Sequence, residues 1–161
     1  MPERPPLVAV CGTSDADAEQ LEMAETVGQL LAERGALVVC GGLSGVMAGV
    51  ARGARAAGGT CIGILPGDSA DAANDDVTIA VPTGLGELRN AVIARSCVAM
   101  IAIGGGYGTL SEIGFALRLG KPVCGLRTWD IRRAGDDEPD PALHRVDTAR
   151  EAVDWVLNTA V

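Results

Sequence analysis

Aromatic side chains are scarce in this chain, with two Trp, one Tyr and one Phe among 161 residues. Proteins that stack on nucleic-acid bases need such rings, and proteins that follow a phosphate backbone need a basic stripe. Here 13 Lys and Arg stand against 21 Asp and Glu, a formal net charge of −8. The two shortages argue against a nucleic-acid surface, that of a DNA-loading protein included. A small anion is a different matter, because a few local donors can hold it against an unfavourable overall field. There is one His, there is no Cys-x-x-Cys pair, and no His, Cys or Asp cluster has metal-ligand spacing. No metal and no other cofactor is therefore expected. No apolar run approaches membrane-spanning length, and the opening Met-Pro-Glu-Arg-Pro-Pro has no apolar signal core. The expectation is a soluble, cytoplasmic protein without membrane contact.

Apolar residues make up 48% of the chain, so the core is built from Val, Ile, Leu, Ala and Met. The length suits one nucleotide-binding domain over residues 1–161, burying roughly two-thirds of its unfolded surface. The five cysteines (Cys11, Cys40, Cys61, Cys97, Cys124) read as buried free thiols of a reducing compartment.

Short β-type runs alternate with longer helical patterns. Leu7 to Cys11 reads as a strand and Gly12-Thr13-Ser14-Asp15 as a turn ending in a helix cap. A helix from about Ala16 to Arg34 follows, with Leu21, Ala24, Val27, Gly28 and Leu31 on one face. Ala36 to Cys40 is the second strand, and Gly41-Gly42-Leu43-Ser44-Gly45 leads into a helix, Val46 to Ala57, whose small residues let it sit close to a sheet. Cys61 to Leu65 is the third strand, an acidic loop runs to Asp76, and Val77 to Val81 is a short fourth strand. Leu85 to Ser96 reads as one helix, apolar at Leu88, Ala91, Val92 and Ile93 and polar at Arg89, Asn90 and Arg95. Val98 to Ile103 is the fifth strand, a glycine-rich turn and a helix to about Leu119 come next, and Pro122 to Leu126 is the sixth. Arg127 to Ala142 is charged and turn-rich, a lid or, by preference, a mobile loop. Leu143 to Val146 is a last edge strand, and Thr148 caps a C-terminal helix.

Apolar strands separated by helices imply a doubly wound α/β fold: a mainly parallel, Rossmann-like sheet of six or seven strands with helices on both faces. The strand C-terminal ends then share one edge, the edge at which such sheets bind ligands. Two strand–glycine–helix units meet there, Gly41 to Gly45 and Gly104 to Thr109. Glycines permit close backbone approach, and a helix N-terminus offers unpaired amides, so the pair reads as a phosphate site. Gly104-x-Gly106-x-x-Thr109 lacks the third glycine of a dinucleotide fingerprint, and Gly120-Lys121-Pro122 is not a Walker lysine. A monophosphate suits these turns better than NAD or ATP.

The segments Val10-Cys11-Gly12-Thr13-Ser14, Gly41-Gly42-Leu43-Ser44-Gly45-Val46-Met47, Ile62 to Pro66, Arg89 and Gly105-Gly106-Tyr107-Gly108-Thr109-Leu110-Ser111-Glu112 carry a resemblance over nearly the whole chain. The chain resembles the LOG (Lonely guy) phosphoribohydrolases, once misannotated as lysine decarboxylases, and the wider Rossmann-like group that includes molybdenum-cofactor carriers. Family enzymes carry Pro-Gly-Gly-x-Gly-Thr-x-x-Glu and use its glutamate and an upstream arginine to cleave the N-glycosidic bond of a nucleoside 5′-monophosphate. Glu112 and Arg89 stand at the matching positions. Gly104 replaces the motif's proline, and Gly86-Glu87-Leu88-Arg89-Asn90 replaces a Met-His-x-Arg-Lys type segment, departures that look more like the carrier branch. The resemblance implies a hydrolase acting on a nucleotide such as AMP, to give free base and ribose 5-phosphate. Its alternative is a non-catalytic carrier or sensor of a nucleotide or phosphorylated pterin such as the molybdopterin cofactor.

The residues bear on both. Cleaving a base–ribose bond passes through an oxocarbenium-like cation that a carboxylate stabilises. Glu112 follows Thr109 by three positions, about one helical turn from the proposed phosphate; alternatively, it caps its own helix. Arg89 clamps phosphate or orients Glu112, or else forms a surface ion pair. Gly12, Ser14, Gly41, Gly42, Ser44, Gly45, Gly105, Gly106, Gly108 and Thr109 form the expected phosphate and nucleotide contacts, with Ser14, Ser44 and Thr109 able to cap helices as well. Tyr107 stacks on a base or shields the turn. The helices around Leu85 to Ser96 and after the motif are apolar on more than one side, which predicts a homodimer.

Overall fold

The hub of the fold is β1 (Leu7–Gly12), whose Val8 and Val10 belong to one core while Ala9 and Cys11 belong to another. A strand that is apolar on both faces must be covered on both. Around it lie β2 (Leu37–Cys40), β3 (Cys61–Leu65), β4 (Ile79–Pro82), β5 (Ala99–Ile103), β6 (Val123–Leu126) and β7 (Leu143–Arg145). In the computed structural model, which describes residues 3–160, these form one seven-stranded sheet. Its order is β4-β3-β2-β1-β5-β6-β7, and every pairing is parallel. Met1 and Pro2, which open the segment read as lacking a signal core, lie outside the described residues.

The helices are α1 (Ala18–Glu33), α2 (Val46–Ala56), α3 (Arg89–Ser96), α4 (Tyr107–Arg118) and α5 (Ala149–Thr159). Residues of α1, α2 and α5 join Val8 and Val10 in one core, and residues of α3 and α4 join Ala9 and Cys11 in the other. The fold is thus the doubly wound α/β architecture that the alternation of runs implied. All five cysteines are buried free thiols. Among the described residues no helix is long and apolar enough to cross a membrane.

Several local expectations are corrected. The α1 cap is Asp17, whose side chain accepts from the Gln20 amide at 2.8 Å, and not Asp15. The fourth strand starts at Ile79 instead of Val77. The glycines of α2 serve its contact with α1 more than with the sheet: a Cβ at Gly53 would lie 1.9 Å from the Glu25 carbonyl oxygen. Leu85 to Ser96 is not one helix, because Gly86 takes a φ of +57° and a 3-10 turn over Gly86–Leu88 precedes α3. Burial at the start of α3 also runs against residue polarity, although Ile93 and Ala94 further on are buried. Arg89 and Asn90 are buried, whereas Leu85, Leu88 and Val92 are exposed.

Candidate functional site

From β1 the sheet grows through β2 and β3 to β4, and the chain then returns to place β5 on the other side of β1. The loops after β1 and β5 diverge at this reversal and open a crevice, as in other doubly wound sheets. Gly12 ends β1 opposite Ile103. A Cβ on Gly12 would lie 2.4 Å from the Ile103 carbonyl oxygen and 2.7 Å from Val46, so the missing side chain is what lets α2 begin at the crevice.

A cavity of about 320 Å³ occupies this edge. Of the residues singled out in the sequence, Gly12, Ser14, Arg89, Gly106, Gly108, Thr109 and Glu112 line it. Gly41, Gly42, Ser44, Gly45, Gly105 and Tyr107 are not part of the lining. Gly41 lies behind Arg89, where a Cβ would come within 2.5 Å of the guanidinium. The Ser44 hydroxyl donates to the Ser14 carbonyl at 3.2 Å, tying the two loops together. Tyr107 is 82% exposed on the outer side of the turn. The lining also contains Thr13, Leu43, Met47, Glu87 and Asn90, which lie within the quoted segments but were given no part in the site. Adjacency to Arg89 was the available signal for Glu87 and Asn90.

The two glycine turns deliver helices with open ends. The first residue before α2 is Gly45 and before α4 Gly106, and neither helix has a side-chain cap. The Val46 amide is taken by the Thr13 carbonyl at 3.0 Å. The first amides of α4, on Tyr107, Gly108 and Thr109, have no intrahelical partner, as at any helix start. With the Val46 amide engaged, α4 keeps more of its first amides open than α2 does.

Arg89 is not a surface residue. Its Nη1 donates to the Gly41 and Ile64 carbonyls, both at 2.6 Å, so the guanidinium clips the ends of β2 and β3 together beside the cavity. Its Nε is buried without a partner. The surface ion pair is thereby excluded. Glu112 sits in the second turn of α4, 7% exposed, with Oε2 unpartnered, so it does not cap the helix. Burial pushes its carboxyl up to about 7; the Cys11 thiol and the Arg89 charge pull it down, and Glu87 pushes it up. It therefore holds a proton about half of the time near neutrality. Asn90 donates through Nδ2 to Ser111 Oγ at 3.0 Å, which ties α3 to α4.

The segment after β6 is fastened to the motif at its start instead of hanging free. Thr128 Oγ1 donates to the Gly104 carbonyl at 2.6 Å and Trp129 Nε1 to the Gly106 carbonyl at 3.1 Å. Trp129 also stacks on Tyr107, with ring centroids 5.8 Å apart. Gly104 has a φ of +57°, which a proline ring, fixed near −65°, cannot reach. The turn thus differs in backbone from one that carries the motif's proline.

Residues 5–153 match the model of the SLOG cluster4 family. The chain belongs to this family. A protein of Archaeoglobus fulgidus is 37% identical over 154 residues, covering 96% of both chains. A cytokinin riboside 5′-monophosphate phosphoribohydrolase of Mycobacterium tuberculosis is 33% identical over 128 residues, covering 74% of this chain and 68% of that one. Among solved structures, the molybdenum cofactor binding protein of Rippkaea orientalis superposes with a TM-score of 0.87 at 31% identity, covering 98% and 99% of the two chains.

Proposed function

We propose that this SLOG-family protein is a nucleoside 5′-monophosphate phosphoribohydrolase, which hydrolyses the N-glycosidic bond to give free base and ribose 5-phosphate. The observation that carries the reading is the buried carboxyl of Glu112, its Oε2 without a partner, in a cavity edged by two open helix ends. For simple binding of a phosphorylated ligand, a buried carboxyl that raises its own pKa to about 7 is a cost with no return. For glycosidic cleavage it is useful. Ionised, it stabilises the cationic sugar; shuttling a proton, it activates the attacking water.

In this reading the 5′-phosphate lies on the α4 amides with Thr109, its negative charge stabilised by the positive end of the helix dipole. Arg89 positions the Glu112 carboxylate by charge and shapes the cavity wall; with Nη1 spent on carbonyls, it has only part of its guanidinium left for ligand. Leu85, Leu88, Val92 and Phe115 on and around α3 and α4 are exposed, and we propose that a second copy covers them. Sedimentation showing a monomer at micromolar concentration would remove the dimer.

Incubation with AMP, followed by chromatography for adenine, tests the hydrolase. The expected result is adenine release that Glu112→Gln lowers by about a thousandfold or more, with AMP binding retained. Tight AMP or pterin binding without any release would establish the second reading, a carrier. That reading is supported by the full-length likeness to a molybdenum cofactor binding protein.

A further inference from the structure

Three buried side-chain atoms among the described residues have no hydrogen-bond partner: Arg89 Nε, Asn90 Oδ1 and Glu112 Oε2. All three residues line the same cavity. A buried polar atom without a partner is costly, so the three together describe the chemistry of what belongs there. They amount to one donor and, with Glu112 ionised, two acceptors. A phosphate does not answer that description, since it brings acceptors and a charge that Glu112 opposes. A pair of hydroxyls does, since each donates one hydrogen bond and accepts others.

We propose that Asn90 is a specificity residue for the sugar: its Oδ1 accepts a hydrogen bond from the vicinal diol of the ribose and selects ribonucleotides over deoxyribonucleotides. The inference rests on the nucleotide reading above and extends it to a residue that the motif does not contain. The amide orientation follows from its neighbours. Ser111 Oγ donates its hydrogen to the Gly108 carbonyl at 2.7 Å, which leaves it an acceptor toward Asn90. Asn90 Nδ2 stands 3.0 Å from Ser111 Oγ and 3.5 Å from the Gly108 carbonyl. Turning the amide over would set its oxygen against two acceptors, so Oδ1 is the atom left for a ligand. Its position follows too. Gly108 and Ser111 belong to the first turns of α4, so Asn90 is anchored beside the amides on which the nucleotide reading sets the phosphate, where the sugar next to that phosphate would lie.

The test measures Kd for AMP, 2′-deoxy-AMP, 3′-deoxy-AMP and IMP by calorimetry in a Glu112→Gln background, which stops turnover, with and without Asn90→Ala. AMP is expected to bind about tenfold or more tightly than at least one deoxy analogue, and Asn90→Ala is expected to erase that preference. If Asn90→Ala does not fold, Asn90→Leu keeps the side-chain volume. Three results overturn the assignment: equal affinity for all three adenine nucleotides in the parent, an equal loss for all of them on substitution at position 90, or an Asn90-dependent preference for AMP over IMP in place of the sugar preference. No binding of any nucleotide would be a different failure, that of the nucleotide reading itself, and the sugar assignment would fall with it.

Discussion

All five helices start on the same edge of the sheet, but they start in two ways. Helices α1 and α5 open with complete capping boxes, Asp17 with Gln20 and Thr148 with Glu151. Helices α2 and α4 open on glycines that supply no side-chain oxygen, while α3 continues from a 3-10 turn. A capping side chain is worth about a few tenths of a kcal/mol over glycine, and the chain forgoes it at the two ends that border the cavity. The sequence can build caps and does so where no ligand is proposed to sit. Bare amides at the crevice are thus better understood as a binding surface than as a local weakness. The two open ends are unequal as well, since Val46 already donates to Thr13. On the proposed reading, helix α4 is the principal phosphate seat.

The sharpest way to break this contrast is to convert α4 into a capped helix. Gly106 has φ −101° and ψ −151°, extended backbone that any residue adopts, and a Cβ there would meet nothing within 4 Å. Gly106→Asp should therefore fold, stabilise α4 by about a few tenths of a kcal/mol, and place a carboxylate in the phosphate seat. Affinity for AMP is expected to fall by about a hundredfold or more, read by calorimetry beside a thermal melt. An unchanged affinity would put the phosphate somewhere else. The same experiment at Gly45 is closed off, because its φ is +67° and a Cβ would sit 2.3 Å from the Thr13 carbonyl oxygen.

The second prediction concerns what lies behind the open ends. The carboxyl of Glu112 titrates at about 7 in the folded protein, against 4.5 for the ordinary group. Between those values the native state binds more protons than the unfolded one, so this group's contribution to stability declines as pH rises from 4.5 to 7 and is level above that. The full difference is up to about 3 kcal/mol. Glu112→Gln should consequently raise stability more at pH 8 than at pH 5, as denaturant unfolding at the two pH values would show. Equal gains at both would mean that the carboxyl is not strained by burial.

How much of this could be seen in the residues alone depended on distance along the chain. The glycine turns, the strands and the pairing of Thr109 with Glu112 are local patterns, and the structure brings Thr109 and Glu112 to one cavity. Arg89 was legible as important but not as a clip, because its acceptors, Gly41 and Ile64, lie 48 and 25 residues away. Asn90 was read only as a polar position of a largely apolar helix; its partners on α4, Gly108 and Ser111, lie 18 and 21 residues further on. Trp129 is 23 residues beyond the Gly106 carbonyl that it meets, in a stretch whose composition suggested mobility. The cap of α1 failed for a different reason. Thr13, Ser14, Asp15 and Asp17 are all capping types, and propensity does not choose among such close alternatives.

That crowded start of α1 supplies the smallest effect and the control for the contrast. Asp17→Ala removes the side chain that accepts from the Gln20 amide, leaving an open end like that of α4, and should cost about 1 kcal/mol of stability. It should not create a second anion site. Asp15 and Glu19 remain beside the exposed amides, with Glu19 already paired to Arg127, so the local field still opposes a phosphate. AMP affinity should stay within about twofold of the parent, whereas the melt shifts down by several degrees. If Asp17→Ala instead bound AMP at a second, saturable site, bare helix amides alone would suffice, and the glycine turn, Thr109 and the surrounding cavity wall would lose their assigned part in the selectivity of α4.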